Sequence, residues 1–257
     1  MTIIHHINCG TLKVANYPPV VCHCLLLQEG DRLALVDSGI GLADVRDPAG
    51  RLGQPLIDMA GFQFNEPDTA ERRIEALGFS PRNVGHILLT HGDPDHAGGL
   101  ADFSRAEVHI SEEELASISS GLGRYVPTQF AHGPSWKAYG RSALFWFGLE
   151  ARPVDIGFST EVLLVPLFGH TRGHCGVAVR QGNRWIFHVG DAYYLRAELT
   201  MDDHPVTQIA AQRAEDDGQR RSSLQTLRRL QREHGDEIEM VGYHDLSELP
   251  ANYQLPG

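Results

Sequence analysis

The chain has 257 residues, 42% of them hydrophobic and 21% charged, and 22 basic against 33 acidic residues leave a formal charge of −11. That length can bury a sizeable core as one domain spanning 1–257, and the composition is ordinary for a soluble globular protein. The acidic excess argues against a nucleic-acid partner, and no apolar run approaches the length of a membrane span. Met1-Thr2-Ile3-Ile4-His5-His6 lacks a basic stretch followed by an apolar core, so no secretory signal is visible and the cytoplasm is the expected compartment. Cys9, Cys22, Cys24 and Cys175 are too few and too scattered for a disulfide framework.

In chain order, Val20–Leu27 and Leu33–Val36, joined by residues 28–32, read as a β-hairpin. Cys22 and Cys24 alternate along its first arm and share one face as core thiols. Val36-Asp37-Ser38-Gly39 closes the second arm in a glycine turn. Residues 41–67 are rich in Gly, Pro and Asp without a clean period, which predicts a long surface loop or lid. A helix is predicted from near Asp68, with Asp68 and Glu71 as its cap and Gly78 at its end. The run Ile87-Leu88-Leu89 reads as a buried strand, Glu107–Ile110 as a short one, and Ser111 with Glu114 as a helix start. Residues 121–148 are irregular and aromatic (Tyr125, Phe130, Trp136, Tyr139, Phe145, Trp146, Phe147), and with 41–67 they are expected to wall an apolar pocket. Val162–Pro166, Gly176–Arg180 and Arg184–Val189 read as strands, 219–234 as a helix closed by Gly235, and Glu237–Val241 as a last strand. Two groups of strands with helices after each predict a layered α/β (α+β) domain.

The stretch that carries chemistry is Thr90-His91-Gly92-Asp93-Pro94-Asp95-His96-Ala97-Gly98-Gly99. A strand ending in a polar turn lets the side chains at 91, 93, 95 and 96 converge, and imidazole with carboxylate suits zinc, iron or manganese. His170, Asp191 and His244 follow three other predicted strands. His91, Asp93, Asp95, His96, His170, Asp191 and His244 make seven candidates. That number suits two metals with a shared carboxylate and a place for water, whereas a closed structural site needs only four ligands.

The Thr90–Gly99 segment, Asp37 in Val-Asp-Ser-Gly, the Gly-His-Thr-x-Gly-His run from 169 to 174, Gly190-Asp191 and Gly242-Tyr243-His244-Asp245 resemble the ordered motifs of the metallo-β-lactamase superfamily, from about residue 20 to 245. The resemblance implies a four-layer αββα sandwich with metals at one edge of the sheets. It implies His91, Asp93 and His170 on a first metal, Asp95, His96 and His244 on a second, and Asp191 bridging. The chain departs from the family at Asp93, where histidine is usual, so its motif is H-x-D-x-D-H. The exchange adds negative charge and a harder oxygen, so two divalent ions are expected with zinc first and iron or manganese admitted.

Two metals sharing a hydroxide would supply a nucleophile at neutral pH and polarise a carbonyl; the resemblance implies that Asp95 orients that hydroxide, from where it would also carry the proton to the leaving group. Tyr194, three residues beyond Asp191, resembles a tyrosine of the N-acyl-homoserine lactone lactonase branch that donates to the substrate carbonyl; the alternative is an ordinary half-buried aromatic. His174, Asp37 and His188 are expected to support ligands. His5, His6 and His234 read as surface residues, and Arg228 and Arg229 as a solvated helix face. The leading expectation is a dinuclear metallohydrolase of a small ester, a lactone first, working as a monomer or homodimer. Thioester hydrolysis of the glyoxalase II type usually brings a helical substrate domain, for which the 66 residues after Asp191 leave little room. Phosphodiester hydrolysis is disfavoured by the net charge. β-Lactam hydrolysis sits poorly with Asp at 191 and no export signal. Outside hydrolysis stand a di-iron redox protein and a non-catalytic metal-dependent binding module.

Overall fold

The computed structural model describes residues 2–14, 17–121 and 123–250. Its first sheet takes seven strands: β1 (Ile3–Leu12), β2 (Val20–Glu29), β3 (Arg32–Val36), β4 (Phe62–Gln63), β5 (Val84–Leu88), β6 (Glu107–Ser111) and β7 (Ser135–Tyr139). They lie in the order β4-β1-β2-β3-β5-β6-β7, antiparallel as far as β3 and parallel from β3 to β7. β8 (Phe145–Trp146) and β9 (Leu149–Glu150) form a small ribbon. The second sheet orders β10 (Arg152–Pro153), β11 (Val162–Pro166), β12 (Cys175–Gln181), β13 (Arg184–His188) and β14 (Ile238–Val241) consecutively, with only β13 and β14 parallel. The α-helices are α1 (Leu42–Arg46), α2 (Pro48–Leu52), α3 (Gln54–Ala60), α4 (Ala70–Ala76), α5 (Pro94–Ala97), α6 (Glu112–Ser119), α7 (Pro127–Phe130), α8 (Val206–Arg213) and α9 (Asp217–His234).

The period-two alternation of the strands builds the layers. On β2, Leu25 and Leu27 face the second sheet and pack with Val36, Leu88, Leu164, Val177 and Val179. Cys22, Cys24 and Leu26 face outward and join Leu35, Ile74 of α4 and Leu100, so the two thiols are core residues on one face as their spacing predicts. On the far side, Leu163, Val165, Ala178 and Phe187 pack against Leu224, Leu227 and Leu230 of α9. Three apolar clusters between and outside two sheets make the four-layer αββα sandwich.

Several local readings change. Residues 41–67 hold α1, α2, α3 and β4 in place of an irregular loop. Each helix is two turns or fewer, too short to show a period, and the chain is broken where Asp47 caps the next helix and where Gly61 turns left-handed. Asp68 does not cap α4: its carboxylate pairs with Arg73 and accepts from Asn65, and Thr69 takes the N-cap place. Gly78 does close that helix, at φ +85°. Within 121–148, Ser135–Tyr139 is an edge strand, and the aromatics disperse. Trp146 joins the α9 cluster, Phe130 and Trp136 lie against the β1–β2 side, and Tyr125 is drawn to Glu114. Arg228 is buried, because its guanidinium donates to the carbonyls of Glu198 and Met201. His6 is half-buried against His23, with Nδ1 and Nε2 at 2.9 Å. The ten-residue β1 that carries it escapes a pattern search because its middle is buried on both faces.

Candidate metal centre

The candidate residues sit three or four positions beyond the C-terminal ends of four strands: His91 after β5, His170 after β11, Asp191 after β13 and His244 after β14. Asp93, Asp95 and His96 follow on the same turn, where Pro94 opens α5 and the Asp93 carbonyl accepts from the His96 and Ala97 amides. Glycine is required at 190: φ is +52°, and a Cβ there would come within 2.6 Å of His174 Nε2. At Gly173 a Cβ would meet the Glu114 backbone nitrogen at 2.0 Å.

All seven predicted residues are brought together, in two groups. The ligand-type atoms of His91, His170 and Asp191 lie within 4.8 Å of one another, as do those of Asp95, His96 and His244. Asp191 faces both groups with different oxygens. Its Oδ2 is 3.3 Å from His170 Nε2 and 4.0 Å from His91 Nε2, while Oδ1 is 3.3 Å from His96 Nε2 and 3.4 Å from His244 Nε2. Asp93 Oδ2 lies 3.5 Å from His91 Nε2 and 3.2 Å from His170 Nε2, and Asp95 Oδ2 lies 3.6 Å from His244 Nε2. His91 Nε2, His96 Nε2 and Asp191 Oδ1 are buried without a hydrogen-bond partner. Buried polar atoms are nearly always paired, so convergent unpaired imidazole and carboxylate atoms fit divalent metal ions.

The imidazoles are held from behind. Asp37 Oδ2 is 2.8 Å from His96 Nδ1, and the same carboxylate accepts from the Thr90 amide and hydroxyl. Asp37 itself has φ +58°, a left-handed conformation that Asp tolerates better than most residues. His244 Nδ1 lies 2.9 Å from the Val21 carbonyl, and the Tyr243 ring stacks on His96 at 3.7 Å while its hydroxyl donates to the Asp95 carbonyl. His174 donates from Nδ1 to the Leu167 carbonyl and accepts the Asp191 amide at Nε2, so it positions Asp191 through the backbone. His188 contacts the His23 carbonyl and the Gly190 amide. Such supports fix ring orientation.

Electrostatics favour added positive charge. Burial works against charging His96, yet Asp191, Asp37 and Asp95 outweigh it and raise its pKa well above the ordinary histidine value. His244 is raised by Asp191 in the same way, against burial. His91 goes the other way, lowered first by burial and then by His96. Asp191 is held well below the usual carboxylate range because His244, His96 and His170 overcome its burial.

Two residues at the centre escaped the sequence reading. Arg124 grips Asp93 with both ends, Nε to Oδ1 at 2.7 Å and Nη2 to Oδ2 at 2.5 Å, and Nη2 also lies 2.8 Å from His170 Nε2. Its guanidinium outweighs burial and holds the Asp93 carboxyl well below its ordinary range. Glu114 is fully buried and accepts four bonds: the Gly92 amide and Tyr125 hydroxyl on Oε1, the Thr171 hydroxyl and Gly173 amide on Oε2. Burial pushes its pKa up to about 7 against those donors. The S-x-x-E pattern does locate its helix, since Ser111 Oγ accepts the Glu114 amide, but the carboxylate turns to the metal loops. The Tyr194 ring stands edge-on between His170 and His244, at 5.9 and 5.3 Å, whereas Tyr193 is buried with its hydroxyl on Glu248. A further group, His86, Glu107 and His109, lies apart from this centre, but its atoms engage one another, Lys137 and Tyr139.

A family model described as the metallo-beta-lactamase superfamily matches residues 17–238. The chain is 39% identical over 98% of its length, and 82% of the other, to the probable metallo-hydrolase Rv2300c of Mycobacterium tuberculosis. It is 27% identical to the N-acyl homoserine lactonase AttM of Rhizobium radiobacter over 70% of this chain and 67% of that one. Its fold is similar to that of a single-site mutant of B. thuringiensis AiiA, solved with N-decanoyl-L-homoserine bound at the active site: TM-score 0.71, 16% identity, 95% of this chain and 93% of that chain covered. The motif order, the sandwich and the match over most of its length together make this chain a member of the metallo-beta-lactamase superfamily, a metallo-hydrolase of that superfamily.

Proposed function

We propose that the protein hydrolyses a small carboxylic ester, a lactone first, at a two-metal centre held by His91, Asp93, Asp95, His96, His170, Asp191 and His244. The observation that carries this reading is Asp191, whose two oxygens each face a different pair of imidazole nitrogens. Divalent ions there, zinc first with iron or manganese admitted by the carboxylates, would supply Lewis acidity and acidify the attacking water. Asp95 is half-buried beside both His96 and His244 and is suited to orient that water and pass its proton to the leaving oxygen. The Tyr194 hydroxyl makes no protein hydrogen bond among the described residues, and its ring is wedged between imidazoles of both groups, so it is suited to donate to the ester carbonyl.

The lactone preference is supported by what AttM is named for and what AiiA was solved with, together with Tyr194. The segments 41–67 and 121–148 are joined where the Thr128 hydroxyl donates to the Arg51 carbonyl and Arg51 returns a bond to Thr128. We propose that they wall the substrate entrance, Arg124 and the exposed Met59 lying on the two sides of Arg213. The test is elemental analysis of the purified chain alongside N-acyl-homoserine lactone, simple lactone, thioester and phosphodiester substrates. Asp191→Ala should strip metal from both positions and lower lactone turnover by ~100-fold or more. Full metal content with unchanged turnover in that variant would overturn the reading; full metal content in the parent with no turnover on the panel would favour a binding module.

A further inference from the structure

The two halves of the centre do not face the same charge. In the second half, His96 Nε2 has no hydrogen-bond partner, and His244 Nε2 faces only carboxylates. In the first half, a guanidinium reaches the same atoms that a metal would use. Arg124 holds both oxygens of Asp93, and its Nη2 lies 2.8 Å from His170 Nε2, the same nitrogen that stands 3.2 Å from Asp93 Oδ2. It is anchored on its other side, Nη1 donating to the Arg213 carbonyl at the end of α8 at 2.6 Å. Its side chain is 12% exposed, and a planar fork on a carboxylate is the arginine geometry that lysine cannot reproduce. Arginine stays protonated at all working pH, so the charge added by Asp93 is answered by a permanent cation supplied by the chain.

We propose that Arg124 is an internal competitor for the first metal position, so that the two positions fill in order: the Asp95–His96–His244 side tightly, the His91–Asp93–His170 side only as the guanidinium withdraws. The proposal deepens the two-metal reading and rests on it. A dication at the first position must take Asp93 and His170 from Arg124 and lies close to a unit positive charge, and the second position carries neither cost. The pairing of a carboxylate at 93 with a guanidinium at 124 therefore sets metal order and stoichiometry and not merely ligand type.

The apo-chain is titrated with Zn²⁺ against a chromophoric chelator and, in parallel, with Co²⁺ followed by its visible absorption. The parent should bind one equivalent at least tenfold more tightly than the next, with His244→Ala abolishing the tight step and His91→Ala the weak one. Arg124→Met should tighten the weak step at least tenfold and leave the tight one unchanged. Two equal steps in the parent, or a weak step unmoved or weakened in Arg124→Met, would overturn the proposal while leaving the two-metal reading in place. No metal binding in the parent would overturn both. Two equal steps in the parent overturn the proposal without any variant, and Arg124→Gln, which removes the charge and keeps a polar side chain, repeats the test should Arg124→Met fold poorly.

Discussion

His96 and His91 stand five residues apart on one turn, yet buried carboxylates steady their halves of the centre in different ways. Asp37 sits directly behind His96, accepting from its Nδ1 and from the Thr90 amide and hydroxyl. Glu114 never touches an imidazole. It clamps the backbone beside them, taking the Gly92 amide next to His91 and the Thr171 hydroxyl and Gly173 amide beyond His170. The carboxylate of one half therefore braces a ring directly and that of the other braces the loop backbone, with the Thr90 hydroxyl reaching His91 Nδ1 and Arg124 filling the front of the second half. A ring brace tunes ligand basicity and orientation; a loop brace sets only where the ligand stands.

The comparison can be broken most directly at Asp37. Asp37→Ala should weaken metal binding on the His96–His244 side by ~10- to 100-fold, the effect expected for a lost partner on a ligating ring. Chelator competition reads it, and a loss confined to the His91–His170 side would contradict the division. Glu114→Gln should instead cost about 2 kcal/mol of stability in the metal-free chain. Whichever way the amide is turned, its NH₂ meets a backbone N–H, Gly92 on one side or Gly173 on the other. Unchanged denaturant midpoints would return Glu114 to a helix-start residue. The smallest effect is expected at Tyr194→Phe, which should slow lactone turnover ~10-fold through loss of one donor while metal content stays constant. A rate equal to the parent's would make Tyr194 a packing residue between His170 and His244.

Much of this was readable along the chain because the seven candidates follow four strands, each a short run rich in apolar residues. The helix starting at Ser111 and four of the five strands of the second sheet were legible for the same local reason, the two-residue β10 being too short to read. Readings failed where an element was too short to repeat its period, as in α1 to α3, or where polarity misled, as at Arg228, which like Arg220 is a buried charge on a helix whose Arg221 and Arg232 face water. His6 was read as surface because its partner, His23, lies on the neighbouring strand.

By itself the sequence determined the seven candidate residues, their strand-end placement and the superfamily, since each depends on residues close together or on their order. Only the tertiary structure decided how the donors divide. That Asp191 splits its oxygens between two groups, that Asp37 crosses 59 positions to His96, and that Arg124 crosses 31 to Asp93 are matters of loops from different strands meeting at one edge. A carboxylate's partner is set by distance in space, and the sequence around Asp93 holds no sign that the charge it adds is met by a guanidinium from the segment beyond α6.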